Sequence, residues 1–119
     1  MPAPPAGQVE RVLQDLSLAS LQAAFKVEET RLANIPWKPA TTSGPRYFYC
    51  GGSYDMGPRD EILRKVDALN EAPAVFARRR ALEGEGIFAR VICYDEPLFC
   101  HAFTYVEYDD KGRSVLKGD

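Results

Sequence analysis

The sequence predicts an α+β domain in the order helix, strand, helix, helix, strand, strand, with a small, mostly antiparallel sheet packed with helices. Three observations carry that reading. In the first third of the chain, apolar residues recur at spacings of three, four and seven, the period of a helix buried on one side. In the last third, two apolar and aromatic runs, 87–94 and 99–108, flank the turn-forming Asp95-Glu96-Pro97-Leu98 and read as a hairpin. Between these regions stand two Pro-led segments whose apolar residues keep helical spacing.

Residues 1–7 are Pro, Ala and Gly after the initial Met and read as a disordered lead, leaving 8–119 as a single domain. The first helical region runs from Gln8 to about Asn34. Val9, Val12, Leu13 and Leu16 form one stripe; Leu18, Leu21, Phe25, Leu32 and Ile35 form another, out of phase with the first. Ser17 is a competent N-cap between them, so the region is either one kinked helix or two helices. Pro36 and Pro39 stop it. The connector PWKPATTSGP follows, and its Trp37 either lies over the core as a lid or stands out as an anchor for a partner.

Tyr47 to Cys50 read as a short strand. Pro58 suits the first position of a helix, with Asp60 and Glu61 in its first turn and Ile62, Val66 and Leu69 inward. A second helix starts at Pro73, carries Val75, Phe76 and Leu82, and ends at Gly84 and Gly86. After the hairpin, Asp110-Lys111-Gly112-Arg113 reads as another turn, and Ser114 to Lys117 as a weak edge strand or a frayed tail.

The chain has 119 residues and a formal net charge of −2. No segment of the chain is strongly basic, so counterion release from a nucleic acid is not an evident driving force. No apolar run approaches the ~20 residues of a membrane-spanning helix, and no membrane partner is expected. The N-terminus has neither a basic nor an apolar export region. Cys50, Cys93 and Cys100 make an odd count, and with no export signal they read as reduced thiols in a cytoplasmic protein.

The hairpin, taken with Tyr94 opposite Phe99, sorts its side chains by alternation. Ala89, Val91, Cys93, Cys100, Ala102, Thr104 and Val106 fall on a small, smooth face that suits a helix. Phe88, Arg90, Ile92, Tyr94, Phe99, His101, Phe103 and Tyr105 fall on the other. That second face is too aromatic for a plain solvent face. Either helices cover both faces or the sheet is strongly curled, or the aromatic face is an interface with another copy or a different protein.

Catalytic and metal patterns are weak. Cys93 and Cys100 are cross-strand neighbours and fit two buried thiols better than a disulfide. A zinc site from Cys50, Cys93, Cys100 and His101 lacks a CxxC pair, and adjacent Cys100 and His101 point to opposite faces. Cys50 with His101 is the one nucleophile–base pair available. No cofactor is expected.

Two further binding readings compete with the interface. Gly51-Gly52-Ser53, after a strand and before a helix, could turn backbone amides on a small anionic or nucleotide-like ligand, with Tyr47, Tyr49 or Tyr54 stacking nearby. No phosphate-loop or dinucleotide motif accompanies them. Arg78-Arg79-Arg80 is the densest basic run, and the element order resembles a winged-helix domain. That resemblance implies DNA binding with the segment 74–83 as the recognition helix. Against it, three successive arginines fan over about 200° of a helix. The wing tip would be Asp95-Glu96, which phosphates repel. A non-catalytic domain that binds a protein partner or itself through the aromatic face is the expectation that accommodates most of the sequence.

Overall fold

The computed structural model describes residues 3–36, 46–54, 57–95 and 100–118. The expected α+β order is present, with a second N-terminal helix and one additional helix at the C-terminal end.

Helices α1 (Ala6–Asp15) and α2 (Leu18–Ala33) resolve the first region into two. Ser17 is extended, at φ −74° and ψ 152°, and its hydroxyl accepts the Ser20 amide at 3.3 Å. This cap gives each apolar stripe its own axis. Val12 and Leu16 are buried from the first stripe, Leu21 and Phe25 from the second. Leu18 is 50% exposed, so the second stripe is shorter than its periodicity suggested. α2 ends with Asn34 as its C-cap, two residues before Pro36.

Three strands follow the order β1-β3-β2 and pair antiparallel throughout: β1 (Arg46–Tyr54), β2 (Ile87–Asp95) and β3 (Cys100–Tyr108). The hairpin register pairs Tyr94 with His101, not with Phe99. A shift of two residues leaves every side chain on its expected face, whereas a shift of one would have exchanged the faces. β1 is longer than Tyr47–Cys50. It continues through Gly51, Gly52 and Ser53 to Tyr54, with a bulge in its pairing between Cys50 and Tyr54. Gly51 sits there at φ +85°, a conformation that favours glycine.

Helices α3 (Arg59–Glu71) and α4 (Pro73–Glu83) connect β1 to β2. Ile62, Val66 and Leu69 point inward as expected. Pro58 is the N-cap of α3 and not its first residue, while Pro73 does open α4. Phe76, expected among the apolar residues of α4, is 51% exposed.

The segment after β3 is a helix, α5 (Asp110–Leu116), where a turn and an edge strand were expected. Asp109 is its N-cap: the carboxylate accepts the Lys111 and Gly112 amides, both at 3.0 Å. Gly112 lets the helix approach the sheet, because a Cβ there would meet Ile87 at 3.0 Å and Tyr108 at 3.1 Å. Leu116 is buried and anchors the end.

All five helices lie on one face of the sheet or along its β2 edge. The core is a single layer between them and the inward rows Phe48, Cys50 and Tyr54; Ile87, Ala89 and Val91; and Ala102, Thr104, Val106 and Tyr108. Among the described residues, no helix is long and apolar enough to cross a membrane.

The β2 edge is closed by side chains. Asn70 acts as a peptide mimic: its Oδ1 accepts the Val91 amide and its Nδ2 donates to the Val91 carbonyl, both at 2.8 Å. Arg79 donates from Nε to the Ala89 carbonyl at 2.8 Å and from Nη1 to the Asn70 carbonyl at 3.1 Å. At Ala89 and Val91, carbonyl and amide groups that an edge strand offers to another chain are thereby occupied.

Candidate functional site

The outward rows of the sheet follow from strand alternation and the observed register. Tyr47 and Tyr49 stand on β1; His101, Phe103, Tyr105 and Glu107 on β3; Phe88, Arg90, Ile92 and Tyr94 on β2. Among the described residues, α4 reaches one end of these rows, where Arg79 and Glu83 line a hollow with Phe88, Arg90, Tyr105 and Glu107. Tyr47 is 57% exposed, Phe88 53%, and Tyr49 and Tyr94 48% each. Arg90 is exposed, and Ile92, His101, Phe103, Tyr105 and Glu107 are half-buried.

The rings brace one another. Tyr47 stacks on Tyr105 with centroids 5.7 Å apart. Tyr49 meets Tyr47 at 6.3 Å, Phe103 at 5.7 Å and Tyr105 at 6.1 Å, and His101 meets Phe103 edge-on at 6.1 Å. Rings at these distances gain quadrupolar attraction and lose freedom before any partner arrives. The Tyr105 hydroxyl donates to the Glu107 carboxylate. Burial, and after it that hydrogen bond, pushes the Tyr105 phenol up to about 12.

The hairpin half of this surface was legible in the sequence, and β1's half was not assigned to it. Tyr47-Phe48-Tyr49-Cys50 alternates as a strand should, which signals a two-faced strand. Which neighbour it joins is a long-range pairing that local pattern does not specify. Of the expected contacts, Trp37 and Phe99 lie outside the described residues.

Beneath the sheet is a polar cluster that composition did not reveal. Tyr54 is 1% exposed; its hydroxyl hydrogen-bonds the Asp15 carboxylate and lies 2.6 Å from the Thr104 hydroxyl. The Arg11 guanidinium sits 4.4 Å from the Tyr54 ring centre, a cation–π contact. Buried Cys50 donates its thiol to the Asp15 carbonyl. Burial, then the Asp15 charge, pushes that thiol up to about 12, away from the nucleophilic thiolate form. Cys50 and His101 lie on opposite faces of the sheet, so the geometry does not bring this nucleophile–base pair together. Cys93 lies opposite Ala102 and not opposite Cys100 in the hairpin register.

The other two candidate sites are placed differently from the sequence expectation. Gly51, Gly52 and Ser53 belong to β1 and its bulge, not to a loop after a strand. The side chain of Ser53 lies outside the described residues. The Asp15 carboxylate occupies the space that a Cβ on Gly51 would need, which places an acidic side chain where an anion was expected. Tyr54 is buried and Tyr49 is on the open face, so the two rings do not flank one ligand. The arginine run fans out as the helical period requires. Arg78 donates to the Leu13 and Leu16 carbonyls at 3.3 and 3.1 Å, at the end of α1. Arg79 holds the β2 edge, and Arg80 pairs with Glu83 at 3.2 Å.

Comparison with known proteins finds no matching family model, no similar curated protein and no similar solved structure.

Proposed function

We propose that this chain is a non-catalytic binding domain whose aromatic sheet face docks a protein partner. The observation that carries this reading is the group of exposed rings Tyr47, Tyr49, Phe88 and Tyr94 on the outward rows, the first two braced by half-buried Phe103 and Tyr105. Tyr, Trp, Phe and Arg are the side chains that anchor protein interfaces, and a patch of this kind on a monomer marks an interaction site. The DNA reading draws less support, since Arg78 and Arg79 hold backbone carbonyls and Arg80 has an acidic neighbour on its own helix.

Affinity capture from nuclease-treated extract of the native cells tests this reading. The wild-type chain should retain a protein in stoichiometric amount. The Phe88→Glu/Tyr94→Glu variant should retain less than about a tenth as much, since interface anchors contribute 2 kcal/mol or more. Equal capture by both would contradict it. A partner lost on nuclease treatment and on Arg80→Ala would favour the arginine helix instead.

A further inference from the structure

Resting on the reading just given, we propose that the occupant of the aromatic face is a second copy of this chain, packed sheet on sheet as an isologous pair. Charge is the first support. Besides His101, the face carries one cation, Arg90 on β2, and one anion, Glu107 on β3, among the described residues. It is therefore near neutral and does not repel itself. An isologous contact also offers each copy's Arg90 the rings and carboxylate of the other.

Area is the second support. Tyr47, Tyr49, Phe88 and Tyr94 are each about half exposed and each presents on the order of 100 Å². With the half-buried rows between them, the face offers on the order of 700 Å² per copy, close to one partner's share of a standard interface. The sheet's edges supply the third. β2 is closed by Asn70 and Arg79, and the β1 ladder is broken by its bulge between Cys50 and Tyr54. Lateral strand addition is thereby obstructed at the middle of β2 and beyond Cys50 on β1. Stacking of two sheets about 10 Å apart is the association that the molecule leaves open.

Sedimentation velocity of the full chain from about 1 to about 300 µM tests this, a range that brackets the micromolar affinity of a small interface. The expected result is a reversible monomer–dimer equilibrium. Tyr49→Glu/Phe88→Glu should weaken it at least about tenfold in a variant that stays folded by circular dichroism. Arg90→Glu alone should weaken it, and combining it with Glu107→Arg should restore it, because neutrality returns. Leu63→Glu, on the exposed side of α3, should leave it unaltered. A monomer at every concentration, or a dimer indifferent to the face substitutions, would overturn the inference. A monomer that still captures a protein through Phe88 and Tyr94 would overturn it while leaving the broader reading intact; a monomer that captures nothing would overturn both.

Discussion

Tyr54 shows how a single side chain fixes the relation between helix and sheet. Its hydroxyl is held between the Asp15 carboxylate at the end of α1 and the Thr104 hydroxyl on the central strand. Tyr54→Phe removes one partner from each and leaves them beneath the sheet. The expected cost is about 1–3 kcal/mol in urea unfolding, against less than about 0.5 kcal/mol for Tyr49→Phe on the open face. The same residues predict an alkaline weakness. Burial raises Tyr54 and Tyr108 above the ordinary phenol range and lifts the Cys50 thiol from 9.0 to about 12. Once pH passes about 9, the unfolded chain loses these protons first and binds fewer than the folded chain, so stability falls as pH rises. The urea midpoint should be unaffected by these groups below about pH 9 and decline through the interval up to about 12. A midpoint that climbs over that interval would contradict the assignment.

At the scale of elements, the edge of β2 depends on helices and not on another strand. Asn70→Ala would leave the Val91 amide and carbonyl without their partner, at a cost of about 1–3 kcal/mol and with faster exchange of the Val91 amide. In α5, Gly112→Ala gains helix propensity of about 1 kcal/mol but forces a methyl against Ile87 and Tyr108. Thermal unfolding should show a net loss, because those contacts leave little room to relax. The elements with strong local signals were readable in the sequence: α3 and α4 from their Pro-led starts and apolar spacing, and the hairpin from its turn. The division at Ser17 was a live alternative because the cap is a local chemical feature. α5 was misread because Asp-Lys-Gly suits a turn as well as a capped helix start. What decides is Leu116 reaching the core and Gly112 fitting against the sheet, both of which are tertiary. The extent of β1 was misread for a related reason, since two glycines carry no alternation to follow.

At the scale of the whole molecule, the consequence is asymmetry. One face of a three-stranded sheet takes all the core, and the other displays aromatic rings that brace each other. The two faces of the hairpin were separable by alternation alone. Along the hairpin the helix-covered face carries the smaller side chains Ala89, Ala102 and Thr104, while the core also takes the rings of Phe48, Tyr54 and Tyr108. The addition of Tyr47 and Tyr49 to the open face rests on the pairing of β1 with β3, across more than fifty residues of chain. The most direct test of this surface as the binding site is an NMR comparison. Amide signals of labelled protein would be followed from dilute buffer into nuclease-treated extract of the native cells. The account predicts shifts and broadening at Tyr47, Tyr49, Phe88 to Tyr94 and His101 to Tyr105, with Gly51, Leu63 and Arg80 unmoved. Changes centred on Gly51 or on α4, with the aromatic rows silent, would contradict it.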